Sequence, residues 1–110
     1  PPAVSIPRHR AQRLARTGRL RVRLRCSEQC TVTATGRVSF GATRLALRRA
    51  RATLAAGAVV PVDLKLAASK RRSVARALRA RRVVRARVSL RAVDAAGNAV
   101  RRAVTVRIRR

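Results

Sequence analysis

The sequence predicts a mainly β protein, an antiparallel sandwich of about six or seven strands with one short helix before the final hairpin. Apolar and polar residues alternate with a period of two over most of the chain, which is typical of strands with one buried face. The period changes between residues 69 and 82, where apolar residues recur at helical spacing. With 110 residues, the chain is long enough for one domain but not for two. An Ala-rich helical bundle is the alternative.

The N-terminal stretch 1–18 is predicted to be a linker, because it holds three of the four prolines and shows little periodicity. His9, the only histidine, lies there without nearby metal-ligating residues, so we interpret it as a solvated side chain. The predicted domain therefore comprises residues 19–110. We interpret the chain, which begins Pro1-Pro2 and contains no Met, as a piece of a longer protein, and we expect other domains of that parent chain to be its partners.

The first half of the predicted domain alternates strongly. Even-numbered positions are mostly apolar over 20–26 and 30–40, with Arg or Thr between them, which predicts strands with one packed face. The stretch 44–56 is ambiguous, because Ala, Leu and Arg are good helix formers. Its apolar residues change parity at Arg48-Arg49, so we favour a strand interrupted by a register break.

The second half returns to alternation after one helix. Residues 60–66 predict a strand, and Pro61 favours an edge position because proline cannot donate a ladder hydrogen bond. Residues 69–82 predict a short amphipathic helix with a narrow apolar stripe. Residues 84–92 and 104–108 alternate again and are expected to pair as the final hairpin.

The charge balance is extreme. The chain has 29 Lys and Arg against 3 Asp and Glu, a formal net charge of +26. Such a surface repels itself and attracts any polyanion, with a strong dependence on salt. Arg and Ala both have GC-rich codons, so genomic base composition and selection for polyanion binding are both open explanations of the arginine excess.

Arginines are expected to tile the outer faces of the strands. There they either form solvated faces or bind phosphate backbones of DNA or an anionic cell-wall polymer without specificity. The chain contains no Tyr or Trp and one Phe, so it offers no platform for base stacking. The predicted outward rows are Arg19, Arg21, Arg23 and Arg25; Arg85, Arg87 and Arg91; and Arg107 and Arg109.

The two cysteines, Cys26 and Cys30, flank a predicted tight turn between two strands. Residues opposite each other there lie about 5.5 Å apart at Cα, a distance that suits a disulfide. Closing so short a loop adds about 2 kcal/mol in the chain-entropy model. Free thiols and half of a shared metal site are the alternatives. A disulfide would place the protein outside the cytoplasm.

The segment from Asp94 to Asn98 is predicted to be the turn of the final hairpin, with Gly97 adopting a positive φ. Asp94 and Asn98 also suggest a calcium site. Calcium requires six or more oxygen ligands, and the chain has only three side-chain carboxylates. We therefore assign Asp94, Gly97 and Asn98 a structural role and predict no metal site.

The start of the predicted helix is the one place where the sequence suggests a defined ligand site, an anion site. Ser69 is the candidate N-cap, followed by Lys70, Arg71 and Arg72. Three cations at a helix N-terminus oppose the helix dipole, and a bound anion would relieve that conflict. The alternative is an exposed Arg-rich surface without a defined site.

Three parts of the chain resemble bacterial immunoglobulin-like modules, including the fibronectin type III and hyalin-repeat-like kinds. They are residues 20–38 with the cysteine pair, the LAAG turn at 54–57 and the hairpin at 85–108, whose DAAGN turn is the most specific part. The resemblance covers residues 19–110. It departs from antibody-type domains, because there is no core Trp and we expect no cysteine pair that bridges the two sheets.

The resemblance implies a non-enzymatic extracellular accessory module, a spacer, stalk or adhesion unit of a larger secreted or surface protein. The residues agree with this, because no His lies near a Ser or Cys and no pair of acids shares a segment, so we predict neither catalysis nor a cofactor. No apolar run approaches about 18 residues, so we expect no membrane span. A polyanion-binding domain that uses Arg-rich strand faces is the alternative hypothesis.

Overall fold

The computed structural model describes residues 3–6 and 11–110, which form a mainly β protein of antiparallel sheets. Its longer helix precedes the final hairpin, as predicted, and the described residues contain one strand more than the predicted maximum. The elements are β1 Val4–Ser5, α1 Leu14–Thr17, β2 Arg19–Cys26, β3 Cys30–Phe40, β4 Thr43–Ala46, β5 Ala50–Leu54, β6 Val59–Lys65, α2 Ala68–Arg79, β7 Val84–Asp94 and β8 Ala99–Ile108.

The strands form two sheets around one hydrophobic core. The three-stranded sheet has the order β1-β2-β6, and the five-stranded sheet pairs β3 with β7 and β7 with β8. β4 and β5 pair with two successive parts of β3. β6 lies at a sheet edge, which agrees with the expectation from Pro61.

Alternation along the strands builds the core. In β2 and β7, successive residues are exposed and buried in turn, and the buried ones are the even-numbered Val, Leu, Ala and Cys that the sequence predicts. Phe40, the only aromatic side chain, is 8% exposed. In the described part of the chain no polar or charged residue is buried, so the arginines all lie on the surface. The core is therefore mostly aliphatic, with arginine covering it on the outside.

The interpretation of residues 1–18 as a linker is wrong where the structure describes them. Val4 pairs with Cys26, and Leu14 is completely buried. The side-chain amide of Gln12 accepts a hydrogen bond from the backbone N–H of Arg21 and donates one to its carbonyl oxygen. A strand of two residues and a helix of four are too short to show a period. The prediction that the His9 side chain is solvated concerns a residue outside the described part of the chain.

The favoured interpretation of 44–56 as an interrupted strand is confirmed by β4 and β5. Between them the backbone N–H of Leu47 donates to the Gly36 carbonyl, and that of Arg48 donates to Lys65 in the other sheet. Leu47 is buried against Gly36, where an added Cβ would lie 2.8 Å from the leucine Cδ1 atom. Glycine is therefore favoured at position 36 of β3, because the interruption places the Leu47 side chain over it.

The predicted helix before the final hairpin is α2, but its predicted N-cap is wrong. The N-cap is Ala67, with no side-chain hydrogen bond, because the helix begins one residue before Ser69. Val74 and Ala77 are buried, and Leu78 is half-buried beside them. The apolar stripe is thus as narrow as the sequence indicates, and the helix packs through small side chains.

Candidate polyanion-binding face

The predicted disulfide forms between Cys26 and Cys30, whose Cα atoms are 6.5 Å apart. Cys26 ends β2 in the three-stranded sheet, whereas Cys30 begins β3 in the five-stranded sheet. The expectation that no cysteine pair bridges the sheets is therefore wrong. Alternation shows which residues face the core, but it does not show whether two successive strands pair with each other or belong to opposite sheets.

Asp94, Gly97 and Asn98 form the turn between β7 and β8. One carboxylate oxygen of Asp94 accepts hydrogen bonds from the backbone N–H groups of Ala96 and Asn98, at 3.0 and 2.8 Å, and the other accepts one from the Asn98 side chain. Partial desolvation acts to raise the pKa of Asp94, but these hydrogen bonds outweigh it, so the pKa lies below its usual value. Gly97 has φ of 84°, as predicted.

The four residues of the predicted anion site at the start of α2 differ in exposure and in hydrogen-bond partners. The Arg71 guanidinium donates to the carbonyl oxygens of Ala15 and Arg16, at distances from 2.7 to 3.3 Å, and so joins α2 to the end of α1. Its polar atoms are largely occupied by those carbonyls. Anion binding at this helix stays a prediction. Ser69 and Arg72 are exposed, and Lys70 lies 3.5 Å from the Ala46 carbonyl oxygen.

The outer side of the three-stranded sheet, here the β2–β6 face, carries an internal ion pair. Two nitrogens of the Arg21 guanidinium donate to the two oxygens of Asp63, at 2.9 and 3.2 Å. This hydrogen bond lowers the pKa of Asp63, against a partial desolvation that acts to raise it, and raises the pKa of Arg21. The face consists of Arg19, Arg21, Arg23, Arg25, Val59, Pro61, Asp63 and Lys65.

The outer side of the five-stranded sheet, here the β3–β7–β8 face, has arginine opposite arginine. The strand register places Arg37 opposite Arg87, and Arg91 opposite Arg101. Like charges placed directly across from each other destabilise a sheet. The face consists of alternating residues of its three long strands: Thr31, Thr33, Thr35, Arg37 and Ser39; Arg85, Arg87, Ser89, Arg91 and Val93; and Ala99, Arg101, Ala103, Thr105 and Arg107.

A groove crosses this face at right angles to the strands, and we call it the transverse groove. Its floor is one row of short side chains, because Thr35 lies opposite Ser89 and Ser89 lies opposite Ala103. Two depressions of about 690 and 610 Å³ meet above this floor. Arginines line both sides and the β4–β5 break: Arg37 and Arg87; Arg91, Arg101 and Arg102; and Arg49.

The groove arginines lack an acidic counterpart. Of the three acidic residues, Asp63 forms an ion pair with Arg21 within the three-stranded sheet. Asp94 accepts hydrogen bonds from residues of the β7–β8 turn. Glu28 is exposed in the connection between β2 and β3. Among residues 3–6 and 11–110, the salt bridges all involve Asp63. The charged side chains that line the groove are therefore all arginines.

The described residues form neither a metal-ligand cluster nor a membrane-spanning helix. They contain no cluster of three or more His, Cys, Asp or Glu side chains that could hold a metal ion. None of the described helices has the length and apolar character needed to cross a membrane. What the face offers is guanidinium groups and hydroxyl groups, which recognise oxyanions by charge and hydrogen bonds.

Part of the groove is visible in the sequence. Arg87 and Arg91 are among the predicted outward arginines. Arg37 and Arg101 are not, because Arg37 is the single arginine among outward threonines and serine in β3, and Arg101 stands beside Arg102, where the alternation breaks. One local signal marks the groove: Ser89 interrupts the row of every-second-residue arginines in β7. Comparison with known proteins finds neither a matching protein-family model nor a matching curated protein.

Proposed function

We propose that this domain is a non-enzymatic accessory module that adheres to polyanions through the β3–β7–β8 face. The carrying observation is the arginine set along the transverse groove, which has no acidic counterpart in the described structure. Folding must place Arg37 against Arg87 and Arg91 against Arg101 despite their repulsion. A bound polyanion would remove that repulsion and release its own counterions.

An extracellular location is part of the proposal. The disulfide supports it, because such bonds persist in oxidising compartments and are rare in the cytosol. The resemblance to bacterial immunoglobulin-like modules supports it as well, since adhesion is among the roles that such modules have. The anionic partner would then be a polymer met outside the cell, and DNA would be bound only through its generic charge.

A salt series tests whether the fold organises the charge. The oxidised domain is compared with a chain of the same composition in scrambled order, which keeps the net charge of +26 but not the faces. We expect the domain to bind an anionic polymer at least about tenfold more tightly near 0.15 M salt, because organised phosphate contacts resist screening better than diffuse attraction. Equal binding by the two chains, lost at the same salt concentration, would contradict the proposal.

A spacer or stalk is the second candidate function, favoured by the course of the chain. Ala3 is hydrogen-bonded to Ser27, beside the disulfide and therefore near the Asp94 end of β7. Ile108 pairs with Val84, at the opposite end of β7. The 11 residues of β7 separate these ends by about 34 Å at the usual rise per residue. Small-angle scattering of two copies in tandem would show an extended particle if the module acts as a spacer, and a folded-back pair if it does not.

A further inference from the structure

We infer that the transverse groove holds a single flexible phosphodiester chain without bases, of the poly(glycerol phosphate) type, laid across the strands. This inference rests on the proposed function and specifies the ligand of the same face. It begins from the floor of the groove, where Thr35, Ser89 and Ala103 lie side by side on three neighbouring strands. The walls lie two positions away along each strand: Arg87 and Arg91 on both sides in β7, Arg37 on one side in β3 and Arg101 on the other side in β8.

The width of the groove selects a single chain over a duplex. Wall residues such as Arg87 and Arg91 are four residues apart in β7, so their Cα atoms are separated by about 13 Å. The arginine side chains occupy part of that space. In B-DNA the major groove alone is about 12 Å wide, so an entire duplex cannot lie between the walls. A duplex could touch only the tips of the arginines.

The chemistry of the lining selects a phosphodiester polymer without bases. Guanidinium groups donate paired hydrogen bonds to phosphate oxygens, and the hydroxyls of Thr35 and Ser89 can bond to phosphate or to polyol oxygens. Single-stranded nucleic acids gain much of their binding energy from bases stacked on aromatic rings. The only aromatic side chain is Phe40, which is 8% exposed and belongs to the core. Bases would therefore gain little here.

The length of the groove sets the expected number of contacts. It crosses from the β4–β5 break, marked by Arg49, through β3 and β7 to Ala103 in β8. Three inter-strand steps cover about 14 Å at the usual strand spacing. A polymer segment of that length passes between Arg37 and Arg87 on one side and Arg91 on the other. Contact is thus limited to a few phosphates, with the remaining chain outside the groove.

A change that fills the floor without altering the charge tests the inference. Ser89→Leu places a bulky side chain on the groove floor, and Thr31→Leu places the same side chain on a long strand of the same face but outside the groove. Binding is measured by fluorescence anisotropy near 0.15 M salt with labelled poly(glycerol phosphate), single-stranded oligothymidylate and duplex DNA. The three probes carry equal numbers of phosphates, and thermal melts confirm that each variant is folded.

We expect the wild-type domain to bind poly(glycerol phosphate) more tightly than either nucleic acid. Ser89→Leu should weaken that binding about tenfold, the effect of losing one or two phosphate contacts, and leave duplex binding unchanged. Thr31→Leu should change neither. Ala103→Leu, in the edge strand β8, repeats the test if Ser89→Leu does not fold.

Two results would overturn the inference alone. One is equal or tighter binding of either nucleic acid by the wild-type domain, and the other is an equal effect of Ser89→Leu and Thr31→Leu. If the wild-type domain binds none of the three polymers more tightly than the scrambled chain does, the proposed function fails together with the inference.

Discussion

The two outer faces of the molecule have similar sequences but different cross-strand charge pairs. In β2 and in β7, arginine occupies most outward positions and small or aliphatic residues occupy the inward ones. On the β2–β6 face, Arg21 lies opposite Asp63 and Arg23 lies opposite Pro61, with one like-charge pair, Arg19 opposite Lys65, at the end. On the β3–β7–β8 face, Arg87 lies opposite Arg37. One face thus neutralises part of its charge, whereas the other concentrates it.

This contrast shows that the role of an arginine in a sheet depends on its cross-strand partner. Asp63 reaches Arg21 from a strand more than 40 residues away in sequence. The β2–β6 face also exposes Val59, which is 53% exposed, where the other face has threonine, serine and alanine between its arginines. We therefore expect the two faces to respond differently to ligands, salt and pH.

Loss of the disulfide should have the largest effect on stability. Replacing Cys26 and Cys30 together by Ala should lower the free energy of unfolding by about 2 kcal/mol, because the unfolded chain is no longer restricted by the closed loop and so gains conformational entropy. The groove does not include either cysteine, so polyanion binding by the folded variant should persist. Urea titration and anisotropy measure the two quantities. An unchanged unfolding midpoint would show that the tether contributes nothing.

Gly36→Ala should have the next largest effect, because it acts on the sheet that carries the groove. The added methyl group would meet Leu47 at 2.8 Å and the Arg87 carbonyl at 3.3 Å, so we expect a loss of about 1 kcal/mol. Combining it with Leu47→Ala should give less than the sum of the two single effects, by at least about 0.5 kcal/mol. Strictly additive effects in urea titrations would contradict this packing.

Relieving one like-charge pair should raise stability slightly. Arg87→Thr removes the repulsion with Arg37, and we expect an increase of a few tenths of a kcal/mol. Arg23→Thr is the matched control, because it removes the same charge from an outward strand position that faces Pro61. Thermal melts at low salt compare the two variants. Equal shifts would mean that only net charge matters and that strand register does not.

The smallest effect should come from Asp63→Asn on the β2–β6 face. The folded pKa of Asp63 is lowered, first by its hydrogen bond from Arg21, so its contribution is present above the unfolded pKa of about 3.9 and is lost as pH falls through the folded value. The wild type should therefore lose more stability than the variant on acidification below about pH 4. At neutral pH their difference should shrink near 1 M salt, where the Debye length is about 3 Å and the Coulomb part of the pair is screened.

Parallel pH profiles of the melting temperatures, from pH 6 to pH 2, would contradict that assignment. Asp94 titrates in the same range, since its folded pKa is also lowered, but it is present in both proteins and cancels in the comparison.

The fold is largely predictable from local sequence, whereas the site is not. Alternation placed the strands that contain Leu20, Val38 and Val88, because a half-buried strand requires that period. It did not reveal that Cys26 and Cys30 lie in opposite sheets, since that depends on how the strands associate. The short β1 and α1 elements are not predictable from the pattern, because two to four residues are too few to show a period.

The candidate site depends on register, which is a long-range property. Ser89 is visible in the sequence as a gap in a row of arginines, but its neighbours Thr35 and Ala103 come from other strands. The start of α2 shows the reverse case. Arg71 looks like part of an anion site by its position near a helix N-terminus, yet α1, which the sequence did not predict, supplies its carbonyl partners.

The central claim, that one face binds polyanions and the other does not, is tested most directly by two charge-matched variants. Arg87→Gln with Arg91→Gln removes two charges from β7 beside the groove, and Arg23→Gln with Arg25→Gln removes two from β2. Binding to poly(glycerol phosphate) is measured across a salt series. The slope of log K against log salt is negative; the β7 variant should reduce its magnitude by about 1.4, and the β2 variant should leave it nearly unchanged. Equal reductions by both variants would contradict the claim, because the charge would then act as a whole and neither face would be a site.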